Sequence, residues 1–129
     1  SLEGLGASLA AERRNDEDIK NLEELEVEFE EAVRTQNIDM LLKKDIEFHE
    51  CIFKAANNKK LEKMINTLWE QVQRFRITYV SDSNASLSLI DEHQSILNAI
   101  KEGNIADSKK FAIKHIEKAE QFMLEHCTK

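Results

Sequence analysis

The stretch IDMLLKKDIEFHECIFKAA, residues 38–56, places ionisable side chains where a soluble helix should carry hydrocarbon. Its apolar residues recur every three or four positions, which puts them on one face of a helix. Asp45 and His49 fall on that same face, one helical turn apart. Burying a carboxylate and an imidazole costs several kcal/mol, roughly, unless each finds a partner or a cation. The stretch therefore predicts a helix with a polar site on its inward side. The face consists of Ile38, Leu41, Leu42, Asp45, Phe48, His49, Ile52 and Ala56.

The whole composition favours helices. The 129 residues include no proline and only three glycines, and strong helix formers dominate. No segment alternates as a strand does, so we predict an all-α antiparallel bundle of about six helices. The expected helices run over 2–14, from the cap at 15–18 to about 34, from Asn37 or Asp39 onward, from the break at 57–58 onward, over 87–102, and from 105 to about 126.

Local sequence signals predict where some of these helices end and which face is exposed to solvent. Gly4 and Gly6 weaken the first helix and predict fraying or an element cut short. The polar cluster Ser81–Asn84 predicts a loop, and Gly103 predicts the C-terminal end of the fifth helix. The acidic run 23–31 is interpreted as a solvated helix face, since its charges alternate with apolar residues.

Charge, cysteine content and hydropathy narrow the functional classes. The net charge of −7 leaves no basic stripe for nucleic acid, so this segment is not expected to bind DNA by itself. Cys51 and Cys127 are too few for a disulfide scaffold, which fits a reducing cytoplasm. No apolar run approaches a membrane span, and the start lacks the pattern of a signal peptide. We expect residues 1–129 to form a single cytoplasmic domain, with the chain a fragment of something longer.

Two further histidines stand at core positions. His93 lies in the apolar stripe of the fifth helix and His115 in that of the sixth. A single such histidine is usually a hydrogen-bonded core residue. Three of them together with Asp45 favour a metal site, because neutral imidazole and carboxylate are good ligands for transition metals and an i,i+4 pair lets one helix give two donors. His126 is interpreted as a solvated residue near the chain end.

The long fourth helix carries two arginines among aromatic residues. Arg74 and Arg76 are each either a surface arginine or part of a buried anion clamp, and the pattern leaves both open.

Several short motifs resemble one family. They are DIEFH at 45–49, AANN at 55–58, EHQSI at 92–96, AIKEGN at 99–104 and HI at 115–116, preceded by LAAER at 9–13 and DEDI at 16–19. In this order and spacing they are similar to the C-terminal effector-binding domain, of the FCD type, of GntR-family transcription regulators. The resemblance covers nearly the whole chain.

The resemblance implies both a fold and a function. It implies an antiparallel helical bundle that holds one divalent metal through Asp45, His49, His93 and His115, and that binds a small organic acid at the open coordination positions. Effector binding then alters how an N-terminal winged-helix domain, absent from this chain, engages DNA, and the effector domains pair as a homodimer. Arg74 is a candidate second anchor for the acid. The family's usual arginine at the start of its first helix is not found in this chain.

The sequence leaves two other functions open. A metal with open positions can activate water, so a metal-dependent hydrolase is one alternative. Against it, the sequence has no HExxH, no nucleophile elbow and no Glu three residues before any histidine, and Glu92 is expected to face away from His93. The other alternative is a structural dimerisation bundle without metal. The ligand types suit zinc or nickel first, with manganese and iron as alternatives, and we expect no enzymatic activity.

Overall fold

The computed structural model describes residues 1–126 and contains six helices. They form the antiparallel bundle that the sequence predicts, with no strand among the described residues. Cys127 lies outside those residues. No helix within 1–126 is both long and apolar enough to cross a membrane. The helices are α1 (Leu2–Arg13), α2 (Asp16–Arg34), α3 (Ile38–Ala55), α4 (Lys59–Ser81), α5 (Ser83–Lys101) and α6 (Ile105–His126).

Short polar side chains set the helix starts. Asn15, Asn37, Asn58 and Asp82 each accept a hydrogen bond from a backbone N–H in the first turn of α2, α3, α4 and α5. Such caps satisfy amide groups that have no partner inside the helix. At the other end of α5, Gly103 adopts a φ of 71°, a conformation that glycine reaches without steric cost.

Two local predictions are wrong. The cluster at 81–84 is not a loop, because Asp82 alone separates α4 from α5: its backbone ends one helix and its side chain caps the next. The start of α1 is helical from Leu2 and buried at both glycines. A Cβ at Gly4 would come within 2.8 Å of Ile113 Cγ1, and one at Gly6 within 2.9 Å of Phe53 Cδ1. The glycines therefore permit close helix packing instead of fraying.

Two arginines at the end of α1 donate hydrogen bonds to the C-terminal ends of two other helices. Arg13 donates to the carbonyl oxygens of Ala56 and Asn57 at the end of α3. Arg14 donates through Nε to Ile100 O at 2.9 Å and through Nη2 to Lys101 O at 3.1 Å, at the end of α5. Guanidinium groups suit these positions because the last carbonyls of a helix lack partners and carry partial negative charge.

The core has two apolar clusters, which we call the lower and the upper cluster. The lower cluster, near the end of α1, has fully buried members that include Ala10, Leu22, Phe48, Ile65 and Ile100. The upper cluster includes Phe29, Leu41, Val80, Leu89 and Ala119. Ionisable residues lie between the two along several helices: Glu26 between Leu22 and Phe29, His93 between Leu89 and Ile96, and His115 between Ala112 and Ala119. We call this level the ionisable layer.

Candidate metal centre

The four sequence-predicted metal ligands meet in the ionisable layer. Helix α3 supplies Asp45 and His49 from successive turns, α5 supplies His93, and α6 supplies His115. Each of these residues is at most 2 % exposed. Antiparallel packing brings residues from three helices to one level, which is why positions distant in sequence become neighbours.

The donor atoms of the histidines converge. One ligand nitrogen from each of His49, His93 and His115 lies within 4.8 Å of the others. His49 Nε2 is 3.2 Å from His115 Nε2. Asp45 Oδ1 completes the group, at 3.2 Å from His93 Nε2 and 3.6 Å from His49 Nε2. Three imidazoles and a carboxylate form a donor set that first-row divalent metals accept.

The arrangement leaves buried atoms without partners, which tests whether a cation fits. Asp45 Oδ1 and His93 Nε2 are both buried, and neither has a hydrogen-bond partner within residues 1–126. A buried acceptor without a partner costs about 1–3 kcal/mol, and more when it is charged. Both atoms face the point where the other imidazoles converge. A divalent cation at that point would satisfy them together, so the residues fit a metal.

Carboxylates contact the outer nitrogens of the histidines. Glu26 Oε2 lies 2.9 Å from His93 Nδ1, and Glu92 Oε1 lies 2.9 Å from His115 Nδ1. Glu3 Oε2 is farther from His49 Nδ1, at 3.9 Å, while its Oε1 accepts a 2.5 Å hydrogen bond from Trp69 Nε1. Metal-binding histidines commonly donate their second N–H to such a carboxylate, which fixes the ring and its tautomer.

A buried arginine takes the second oxygen of Asp45. Arg76, 2 % exposed, donates to Asp45 Oδ2 through Nη2 at 2.5 Å and through Nε at 3.2 Å. Its guanidinium also lies over the rings of Trp69 and Tyr79, each 5.1 Å away. Because Oδ2 is committed to Arg76, only Oδ1 faces the histidines.

Burial and charge move the pKa values of these groups in different directions. Burial alone would raise the pKa of Asp45, but Arg76 and the neighbouring histidines hold it well below its ordinary value. Burial lowers the pKa of His49 to about 3, so this imidazole is neutral and able to donate a lone pair. His93 behaves differently. Although burial opposes it, the neighbouring carboxylates of Asp45 and Glu26 raise the pKa of His93 to about 9.

The structure also places Arg74, the candidate anchor for the effector, and His126. Arg74 is exposed, with its guanidinium 4.9 Å from the Phe75 ring, and lies apart from the histidines. His126 is exposed and stacks on Phe122 at 4.0 Å, so the interpretation as a solvated residue agrees with the structure.

Sequence reasoning missed the outer carboxylates. The sequence placed Glu26 in a solvated acidic run, whereas Glu26 is 2 % exposed. Glu92 was expected to face away from His93, and it instead contacts His115 on α6. A signal for Glu26 was present, because it stands four residues after Leu22 and three before Phe29, on the inward stripe of α2. Glu92 gave no such signal, since it reaches a neighbouring helix from the side of α5.

Small cavities flank the layer. One of about 210 Å³ lies between α3 and α4 and is bordered by His49 and Trp69. Another of about 240 Å³ lies between α5 and α6 and is bordered by Glu92 and His115. A larger cavity of about 760 Å³ lies at the junction of α4 and α5, among residues of the upper cluster, and includes none of the histidines.

Comparison with known protein families identifies the class to which the chain belongs. The chain belongs to the FCD domain family, whose model matches residues 1–118. This match confirms the resemblance found in the motifs.

A solved structure supports the fold. The chain is similar to E. coli McbR/YncC, with a TM-score of 0.86 over 96 % of this chain. The sequences are 18 % identical, so the likeness concerns the fold alone, and this chain spans 63 % of that chain's length. No match is found among the curated proteins.

Proposed function

We propose that this chain is the ligand-sensing domain of a transcription regulator. In this proposal it binds one divalent metal through Asp45, His49, His93 and His115, together with a small organic acid. The observation that carries the proposal is the pair of buried atoms without partners, Asp45 Oδ1 and His93 Nε2, facing the convergence of the other two imidazoles. Membership of the FCD family supports a regulatory role over a catalytic one.

The chemistry of the donor set suits an effector that is an anion. Asp45, His49, His93 and His115 would hold a divalent cation through four donors, and a cation that takes five or six ligands would offer a Lewis-acidic anchor for a carboxylate group at its remaining positions. Zinc and nickel suit these ligands best, with manganese and iron as alternatives. Arg76 supports Asp45 and adds a positive charge beside the layer. A contact between Arg74 and the effector stays a prediction.

The space beside the histidines favours a small effector. The flanking cavities of about 210 and 240 Å³ fall below the roughly 300–1,000 Å³ typical of sites for drug-sized ligands. A short mono-, di- or hydroxycarboxylate matches this volume. We further propose a homodimer that reaches DNA only through a separate N-terminal winged-helix domain, in the cytoplasm.

The first experiment is elemental analysis of the purified domain, followed by a thermal-shift screen of small carboxylates before and after chelation. We expect one metal per chain and stabilisation by an acid that disappears when the metal is removed. A ligand that binds only the folded state at 100 times its Kd adds about 2.7 kcal/mol to the free energy of unfolding.

The variant His93→Ala tests the role of the cluster, and His126→Ala is its matched control because His126 is exposed. His93→Ala should lose both the metal and the acid-dependent stabilisation, whereas His126→Ala should keep both. An acid response unchanged in His93→Ala would rule out the metal-anchored effector. Absence of metal after reconstitution of the wild-type domain would favour the structural bundle.

A further inference from the structure

His93 is a fully buried ligand of the candidate metal centre. Its ring stacks on Phe48 with a centroid distance of 4.3 Å and contacts the Phe29 ring at 4.5 Å. Its two nitrogens point to opposite sides. Nδ1 lies 2.9 Å from Glu26 Oε2, and Nε2 lies 3.2 Å from Asp45 Oδ1.

We propose that Glu26 is a positioning residue for metal binding, acting through His93. To bind a metal, His93 must lose a proton and become a neutral imidazole, which donates from one nitrogen and offers a lone pair on the other. The Glu26 carboxylate accepts a hydrogen bond from Nδ1 and thereby leaves the Nε2 lone pair facing the point where the ligand nitrogens of the three histidines converge. This inference rests on the proposed metal site.

The surroundings of Glu26 distinguish it from the other outer carboxylates. Glu92 also accepts a hydrogen bond from Ser88 and lies near Lys118, and Glu3 is held by Trp69. Glu26 Oε2 has its contact with His93, and Oε1 has no hydrogen-bond partner within residues 1–126. The buried charge of Glu26 is therefore compensated chiefly through the imidazole.

A cation on the far side of that imidazole would complete the compensation. An anionic hydrogen-bond acceptor on Nδ1 makes the lone pair of the opposite nitrogen a stronger ligand for a metal. Loss of such a carboxylate typically weakens metal affinity roughly 10- to 100-fold. Glu26 should thus affect metal affinity without touching the metal.

The test compares Glu26→Gln with Glu24→Gln, which removes the same charge from an exposed position on the same helix. Cobalt(II) is the probe, because its visible absorption reports coordination, and its Kd is measured by titration. Melting temperatures are recorded with chelator and with cobalt. Glu26→Gln should bind cobalt roughly 10- to 100-fold more weakly and show a smaller cobalt-induced rise in melting temperature, while Glu24→Gln matches the wild type.

A conservative variant separates positioning from packing. Glu26→Asp keeps the charge but shortens the side chain, so its cobalt affinity should fall between those of the wild type and Glu26→Gln. If Glu26→Gln gives no folded protein, Glu26→Asp decides alone: weaker binding supports the proposal, and wild-type affinity overturns it.

The outcomes also distinguish this inference from the function on which it rests. If the wild-type domain binds cobalt and folded Glu26→Gln binds it equally well, the positioning role is wrong and the metal site stands. If the wild-type domain binds none, both proposals fail, and Glu26 is only the partner of a buried histidine.

Discussion

The ionisable layer and the two apolar clusters beside it occupy the same core but depend on different physics. In the lower cluster, Leu22 and Ile65 are buried among other hydrocarbon groups, and another apolar residue of similar volume would fill much the same role. In the layer, Asp45 and Arg76 are equally buried, yet each is tolerated only because of a specific partner. The clusters need volume, whereas the layer needs particular groups at particular places.

This difference explains why the layer is a poor source of stability and a candidate binding site. Desolvating an ion pair offsets much of its attraction, so a buried pair adds little net stability. The layer also contains three buried side-chain atoms without hydrogen-bond partners among residues 1–126, namely Glu26 Oε1, Asp45 Oδ1 and His93 Nε2. Such atoms lower the stability of the fold unless a bound ion or ligand satisfies them. The two clusters pack against the layer from either side.

Removing one member of the buried ion pair should have the largest effect. Arg76→Met leaves the charge of Asp45 buried and uncompensated, which should lower the free energy of unfolding of the metal-free domain by about 3–5 kcal/mol. Arg74→Met is the matched control and should change it by less than about 0.5 kcal/mol, because Arg74 is exposed. Urea titration with chelator measures both.

Repeating the titrations with bound metal sharpens the comparison. A cation beside Asp45 Oδ1 supplies part of the missing positive charge, so the penalty of Arg76→Met should shrink. An equal penalty with and without metal would mean that the metal does not contact Asp45. A large penalty in Arg74→Met would show that the exposed arginine has a role that its position does not explain.

A cavity in the lower cluster should come next. Leu22 is 0 % exposed, and Leu22→Ala should lower the free energy of unfolding by about 2–5 kcal/mol. The loss should be the same with and without metal, since it acts through packing alone. Val27→Ala, at a residue 66 % exposed on the same helix, is the control. If metal reduced the loss of unfolding free energy caused by Leu22→Ala, the clusters and the layer would not be independent.

Much of this architecture was predictable from the sequence. Periodicity gave six helices, because apolar residues at three-and-four spacing have few other ways to be buried. The inward histidines were visible for the opposite reason: His49, His93 and His115 interrupt apolar stripes. A residue that breaks a pattern is easy to find.

The partners of those histidines were harder to predict. Glu26 stands among many other acids, so its burial does not stand out from the local composition. Arg76 and Arg74 looked alike, and only the rotation of α4 in the bundle separates them. Contacts between helices depend on relative orientation, which one-dimensional periodicity does not specify.

The glycines of α1 give the smallest expected effect and the clearest conflict between local and tertiary preference. By helix propensity alone, Gly6→Ala should stabilise the domain by about 0.8–1.0 kcal/mol. In the bundle the added Cβ would lie 2.9 Å from Phe53 Cδ1, so overpacking should outweigh that gain and leave a net loss of about 1 kcal/mol. Thermal melting measures the sign. Leu5→Ala, at the neighbouring residue that is 46 % exposed, gives the response of α1 without a clash. A stabilised Gly6→Ala would mean that α1 lies farther from α3 than this packing requires, and that fraying was the better interpretation.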